Sequence, residues 1–568
     1  MLVKRGGGVG CYSPIYLDKS FCVVYNKRNM ILTPQQLWKD YDRSKTPLAV
    51  KTVSASEDGV SSIRYVYFNG DSVLDGTPRI FAKLYIPASA PRTVSAVAVF
   101  DDPENSVDAF DPTEYLSRGF AVLVTDYAGE ADGKTRYTLY PKSLSAHADL
   151  LKNTLSASKD VSAAQSCWYL YACVALRAMT FLENEGFTNR FVLGIGHGGE
   201  QVWKVCYFEG AARAGGVLFS GGVRKADAGV DANETDKNYL AYKAALDSSA
   251  YANFIKSPVF IQITSNEQNG SLPRMNKLYE AALERGAYFS VSERANRAII
   301  PSRMNNIALW FSMLLEGNAL PSPPKITAKG SENQLYLEIK VHDPAQIADA
   351  ALFVAHKQKN SAYRNWRRHE MPAISEDEYL TRVAVFSVDS PVFAFVNITY
   401  KNGICISSAV ERVNPALLNV AAEPSAFKRL LYDSSMGVSD WLVLSTESAA
   451  DEKPHICSGP RELEGVTASH ALTTFRLADP QYTGRADSVL QITLFSAAAQ
   501  EIGFHIKNEK SVRFSCIKET VSMTNWVKFS FSPTDFKGSA GALTSWQDVL
   551  TFEVTFTSPV LVNSLLWV

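Results

Sequence analysis

The chain has 568 residues, too many for one hydrophobic core, and domain-size statistics divide it into about three units. Its 57 Lys and Arg against 58 Asp and Glu give a net charge of −1, so no overall field draws nucleic acid or an anionic bilayer. The start, Met1-Leu-Val-Lys-Arg-Gly-Gly-Gly8, has two basic residues and no apolar run behind them. It reads as a chain without a secretory signal, cytoplasmic by default or else a processed, secreted mature form.

The best membrane candidate, Trp168 to Leu182, falls short of the roughly 20 apolar residues a span requires and contains Arg177, so no membrane span is expected. The eight cysteines, Cys11, Cys22, Cys167, Cys173, Cys206, Cys405, Cys457 and Cys516, are thinly spread with no C-x-x-C pair. Buried free thiols are expected rather than a zinc site or a disulfide framework.

From about residue 79 to residue 316, short apolar runs alternate with amphipathic helices, the pattern of a mostly parallel sheet covered on both faces. Strands are predicted at Arg79–Ile86, Ser95–Phe100, Phe120–Thr125, Arg190–Ile195, Gly216–Ser220, Pro258–Thr264 and Ala287–Val291. The longest helix is predicted from Ser162 to Glu185, with Trp168, Tyr171, Val174, Ala175, Ala178, Phe181 and Leu182 on one apolar face. A closing helix, Asn305 to Glu316, ends at Gly317, and Leu320-Pro-Ser-Pro-Pro324 reads as a stiff linker.

Beyond the linker the period changes to two. Leu335–Val341 and Pro391–Tyr400 read as strands, the latter joined to Ile404–Ile406 by the tight turn Asn402-Gly403, and residues 321–420 are expected to form an Ig-like β-sandwich. Residues 421–568 read as a further all-β unit, with strands at Val489–Phe495, Ile502–Ile506, Trp526–Phe531 and Ser564–Val568. A jelly roll is the expected arrangement.

The stretch Phe191-Val-Leu-Gly-Ile-Gly-His-Gly-Gly-Glu200 has a buried strand, a glycine-rich turn and a helix start, the layout of a G-x-S-x-G nucleophile elbow with Gly196 in the serine position. Together with Thr33-Pro-Gln-Gln-Leu-Trp38, Asp126 at a strand end, Tyr140-Pro141, Trp168-Tyr-Leu-Tyr171, Arg177-Ala178 and Leu309-Trp-Phe311, it resembles the α/β-hydrolases of the acetyl-xylan-esterase and dienelactone-hydrolase type. The resemblance covers about residues 30–320 and places the first unit at residues 1–320. It implies an ester hydrolase with serine, acid and histidine in that chain order.

The residues at those positions point away from that chemistry. Gly196 has no side chain. At the acid position, Ser265-Asn-Glu267, a carboxylate is retained one methylene longer than aspartate. At the base position, Ala295-Asn-Arg297, the guanidinium stays protonated and takes up no proton. His147 and His197 are the histidines of this unit, and neither follows the last strand. The loop that would lend an oxyanion N–H reads Asp101-Asp102-Pro103-Glu104, where two carboxylates oppose a developing anion and Pro103 has no N–H. Losing nucleophile or base from a triad costs about 10⁶ in rate, or on the order of 8 kcal/mol of barrier. A degenerate triad, Gly196, Glu267 and Arg297, is therefore expected, with Asp101, Asp102, Asp126, Trp168 and His197 as pocket candidates.

Ser220 in Phe219-Ser-Gly-Gly222 reads as a turn cap and Cys206 as a core residue. No H-E-x-x-H, paired Cys/His spacing or EF-hand loop appears, so no metal or cofactor is expected; Asp440, Asp451 and Glu452 could hold calcium in a jelly roll but read first as solvated acids. Asn525–Phe531, Asp535-Phe-Lys537, Leu543–Val549 and Asn563–Trp567 resemble the galactose-binding-like jelly rolls of carbohydrate-binding modules, which implies either sugar contacts at Trp526, Trp546 and Tyr482 or a structural or docking unit in which Trp526, Trp546 and Trp567 are core, the reading preferred here.

Three functions fit these observations. The first is a catalytically inactive esterase-like homologue that binds carbohydrate or a protein partner. The second is an ester hydrolase in which Glu267 or His197 activates water, aided by a residue such as His369 from another unit. The third is a structural subunit. Arg297, as a fixed positive charge, would favour a carboxylate-bearing ligand.

Overall fold

The computed structural model describes residues 31–73, 75–144, 163–220, 237–267, 272–296, 303–444, 453–539 and 541–568. His147, Arg297, Asp451 and Glu452 lie outside the described residues.

Nine strands form the first sheet: β1 (Lys51–Glu57), β2 (Ser61–Asn69), β3 (Arg79–Pro87), β4 (Ser95–Phe100), β5 (Ala121–Thr125), β6 (Asn189–Ile195), β7 (Ala214–Leu218), β8 (Val259–Thr264) and β9 (Tyr288–Ser292). Their order is β1-β2-β3-β5-β4-β6-β7-β8-β9. The pairs from β1 to β3 and β3/β5 are antiparallel, and every pair from β5/β4 to β8/β9 is parallel. Strands such as Ser-Ala-Val-Ala-Val-Phe (β4) and Val-Phe-Ile-Gln-Ile-Thr (β8) are buried at every position because helices cover both faces. The hairpin β1–β2 extends the sheet beyond the first expected strand, and β1 is exposed along its whole length.

Five helices matter for the site: α1 (Cys167–Asn184), α2 (Gly199–Tyr207), α3 (Lys237–Ala245), α4 (Leu272–Ala282) and α5 (Asn306–Leu315). The helix expected from Ser162 begins later because Ser166 caps it: its Oγ accepts the Tyr169 N–H, and Ala163–Gln165 before it is a 3₁₀ turn. On one face Trp168, Tyr171, Ala175, Ala178 and Phe181 of α1 pack with Val202 and Trp203 of α2 in one core. On the other, Trp310 and Phe311 of α5 pack against Val97, Val122 and Phe191 of the sheet. This is an α/β-hydrolase-like architecture, and the described residues include no helix long and apolar enough to cross a membrane.

Antiparallel sheets follow. Lys325–Ser331, Gln334–Lys340 and Glu378–Val383 form one, and Arg367–His369, Ile347–His356, Val392–Tyr400 and Cys405–Ser407 the core of a second, in which Gly403 takes φ +90° in the predicted Asn402-Gly403 turn. Two six-stranded sheets complete the chain. Leu490, Ile492 and Val562 of one share a core with Leu472, Ile502 and Phe504 of the other.

The two sheets between residues 325 and 413 are not loosely tethered. Phe353, Trp366, Phe393 and Phe395 belong to the same core as α1 and α2, and Leu337, Ile339 and Val396 to the same core as α5. At about 25 cal/mol per Å² of apolar area removed from water, such fully buried aromatics favour one fixed orientation of the sheets on the α/β unit.

Candidate functional site

The turn after β6 has elbow geometry. Gly196 sits at φ +53°, inside the left-handed region that disfavours residues with a Cβ, and Gly196–Gly198 wind into a 3₁₀ turn that leads into α2. The flanking glycines are required by close approach. A Cβ on Gly194 would stand 2.4 Å from the Gly198 carbonyl oxygen, and one on Gly198 would stand 1.9 Å from that of Phe100.

Gly196 is confined for a different reason. A Cβ there would lie 2.0 Å from Asp102 Oδ1 and 2.5 Å from Asp102 Cγ. The Asp102 carboxylate thus occupies the space into which a nucleophile would project. Its Oδ1 accepts the His197 backbone N–H at 2.7 Å and lies 3.2 Å from His197 Nδ1. In a serine hydrolase of this fold, the N–H of the residue after the nucleophile is one donor of the oxyanion hole. Here that donor is bonded to an internal carboxylate. The expectation that Asp101 and Asp102 merely oppose an anion is therefore sharpened: Asp102 turns inward, while Asp101 Oδ1 accepts the Asp102 N–H at 2.8 Å.

The loop carrying both aspartates is fastened from below. Tyr127 Oη donates to the Asp101 carbonyl at 2.6 Å. Lys134 Nζ bridges the Pro103 carbonyl at 2.5 Å and Asp126 Oδ1 at 2.6 Å. Asp126, a pocket candidate from sequence, is 5 % exposed and also accepts the Thr138 N–H at 2.7 Å, which makes it a buried anchor of this loop. Trp168 is likewise 1 % exposed, a core residue whose ring centre lies 5.9 Å from that of His197.

Glu267, expected from sequence at the position of a triad acid, is buried just beyond β8. The segment before it is held from elsewhere in the chain. Asn266 Nδ2 donates to the carbonyls of Ala362 and Arg364 at 3.2 and 2.9 Å, and Ser265 Oγ accepts the Arg294 N–H at 2.8 Å. His369 lies in a different sheet from the elbow strand. It pairs with Leu352 in the second all-β sheet and lines a cavity of about 420 Å³ with Arg368, Met371 and Tyr379, and burial depresses its pKa to about 4.

A polar cluster that sequence reading missed lies under the elbow. Glu200 and Lys204, four apart on α2, are both buried and pair at 3.3 Å. Ser248 Oγ donates to Glu200 Oε2 at 2.8 Å and Ser220 Oγ to Oε1 at 3.2 Å. Burial lowers the Lys204 pKa, which Glu200 opposes. Two opposite charges at i and i+4 usually mark a solvated face. The signal for burial was their place directly after a buried strand and a glycine turn.

The aromatic candidates of the C-terminal sheets lie mostly in the core. Trp546 is 1 % exposed, its Nε1 donates to the Ser488 carbonyl, and its ring packs against Trp567 at 5.0 Å, so it offers no face to a sugar. Tyr482 is 6 % exposed and surrounded by cationic side chains. Trp526 is half-buried, pinned by Nε1 to the Pro460 carbonyl and packed closely on Gly459 and Gly465. Among the described residues no group of three or more His, Cys, Asp or Glu is placed to hold a metal ion, and Asp440 is engaged by Arg294 and Arg476.

No family model matches the chain, and no curated protein matches it. Solved structures do. Acetyl xylan esterase 1 from Thermoanaerobacterium sp. JW/SL YS485 aligns over 53 % of this chain and 99 % of its own, with 16 % identity and a TM-score of 0.37. The acetyl xylan esterase from Paenibacillus sp. R4 aligns over 49 % and 91 %, with 15 % identity and a TM-score of 0.36. The glucuronoyl esterase from Solibacter usitatus aligns over 44 % and 80 %, with 13 % identity and a TM-score of 0.31. The strand order, the parallel run from β5 to β9 and the strand–glycine turn–helix at Gly196 give this chain an α/β-hydrolase fold followed by antiparallel all-β sheets.

Proposed function

We propose that this chain is a catalytically inactive α/β-hydrolase homologue that works by binding a carbohydrate or a protein partner. The observation that carries the reading is the Asp102 carboxylate, which fills the space beside Gly196 and takes the His197 N–H. Ester hydrolysis through an acyl-enzyme needs a nucleophile at that point and free N–H donors for the developing oxyanion. The elbow supplies neither a side chain nor an uncommitted His197 N–H.

A second reading draws on the 3.2 Å approach of Asp102 Oδ1 to His197 Nδ1. A carboxylate that orients an imidazole is the arrangement of a general base, and such a pair would activate water directly for ester hydrolysis. One experiment separates the two. Small acetyl and aryl esters are assayed to the chemical background with the wild-type protein and with His197→Ala, Asp102→Asn and Glu267→Gln. The first reading expects rates equal to an unrelated protein control in all four. Turnover by the wild type that is lost in His197→Ala overturns it and establishes the second.

A further inference from the structure

Where Arg294, just beyond β9, meets the C-terminal sheets, four cations gather around two acids. Arg367, Lys428 and Arg476 lie 5.6, 5.6 and 4.8 Å from the centre of the Tyr482 ring. Arg294 and Arg476 share Asp440, the first at 3.5 Å, and Arg367 meets Asp479 at 3.4 Å. Glu293, the next acid along the chain, is taken by Arg303. Among the described residues this leaves four positive charges against two negative ones.

The excess is not absorbed locally. Lys428 is exposed at the rim, and among the described residues its ammonium makes no ion pair or hydrogen bond. Arg476 Nε is buried without a hydrogen-bond partner. Arg367 spends one terminal nitrogen on Asp479 and on Gln481 Oε1, at 2.5 Å for the latter. Cation–π contact with Tyr482 offsets part of the mutual repulsion, but a purely structural cluster would pair each cation with an acid. Consistent with repulsion, burial and then Arg367 lower the proton affinity of Lys428.

We propose that this junction is a binding site for an oxyanion, a carboxylate, sulfate or phosphate group, with Lys428, Arg367 and Arg476 as its donors. Guanidinium groups offer paired N–H donors that match the two oxygens of such a group, and Lys428 supplies a mobile point charge at the mouth. The site joins the α/β unit, through Arg294, to the C-terminal sheets, and it stands whether or not the elbow turns over esters. An acidic sugar residue and a free inorganic anion share this chemistry.

The test is calorimetric titration of the full chain with inorganic phosphate, inorganic sulfate and an oligogalacturonate, with a neutral xylo-oligosaccharide of equal length as control. Variants are Lys428→Ala, Lys428→Glu and, as a control for nonspecific charge, the exposed Lys518→Ala. Expected is saturable binding of at least one anion, weakened about tenfold by Lys428→Ala, further by Lys428→Glu and not by Lys518→Ala, with the unliganded melting temperature unchanged. Tighter binding of the oligogalacturonate than of either inorganic ion assigns the site to acidic glycans, and equal or weaker binding assigns it to free oxyanions. Absence of saturable binding to all three anions, or binding that both Lys428 variants leave intact, overturns the proposal.

Discussion

Asp102 Oδ1 stands 2.0 Å from the point where a Cβ on residue 196 would be built. Aspartate and glycine therefore form one steric unit, and a serine placed at 196 alone has no room. Gly196→Ser is expected to lose about 1–3 kcal/mol, from the positive φ and from displacement of the carboxylate, and to gain no esterase activity. In Gly196→Ser/Asp102→Gly the steric part should be recovered. Denaturant unfolding of the two single variants and the double variant measures this coupling, and strictly additive losses would show that the two positions act independently.

The loop that carries Asp102 is secured by a buried charge. Lys134 and Asp126 have side chains 1 and 2 % exposed and meet at 2.6 Å. Removing one partner strands the other charge in a low-dielectric site, which typically costs about 3–5 kcal/mol. Lys134→Met should lower stability by that order. Because Lys134 also holds the Pro103 carbonyl, hydrogen exchange at the Asp101–Asn105 amides should accelerate. Unchanged exchange there would show that Tyr127 and His197 hold the loop without it.

Much of the α/β frame was legible because parallel strands buried on both faces are continuous apolar runs. Ser95–Phe100 was read with its observed limits, and β6 within one residue. The elbow was legible from its glycines. The role of Asp102 was not, because it depends on the direction of a side chain from a neighbouring strand's loop toward a turn about 95 residues away in sequence. The Glu200–Lys204 pair was hidden by composition, since charged residues four apart look the same on a solvated and on a buried helix face. Trp546 and Tyr482 show the converse limit. Both lie in turns between strands, where an aromatic of a small β-unit has the same sequence pattern as core and as ligand platform, and only burial separates the two.

Histidine titration links the all-β sheets to pH. Burial depresses both His369 and His505 to about 4 from an ordinary value of 6.5. Each is neutral when folded, with His505 bonded to Ser515 and Thr555 hydroxyls at 2.8 and 2.9 Å. Between pH 6.5 and 4 the unfolded chain binds more protons than the folded one at these sites, so their contribution is full above pH 6.5 and is lost as pH falls toward 4. The melting temperature should drop across that window. His505→Asn, which keeps a hydrogen-bonding group but removes the proton site, should make the drop shallower. An equal slope in the variant would place the acid sensitivity elsewhere.

Arg294 connects three parts of the chain. Its backbone N–H donates to Ser265 Oγ beside the acid position, its Nε to the Trp366 carbonyl at 2.6 Å, and its Nη1 to Ser439 Oγ at 3.0 Å, with Asp440 at 3.5 Å. A guanidinium reaches these acceptors because its N–H groups diverge in a plane, whereas a lysine ammonium at the end of a shorter reach serves one of them. Hydrogen bonds involving a charged partner are each worth about 1.5–3 kcal/mol, and Asp440 retains Arg476 when Arg294 is removed. Arg294→Ala should therefore destabilise by about 3 kcal/mol and loosen the C-terminal sheets from the α/β unit before either unfolds. Limited proteolysis should cut faster in the exposed segment at residues 421–426, and small-angle scattering should report a larger radius of gyration. Arg294→Lys should fall between the two. Wild-type cleavage and scattering in Arg294→Ala would mean that the apolar cluster of Ala362 and Tyr363 with Leu442, Phe475, Ala478 and Leu550 fixes the arrangement without this arginine.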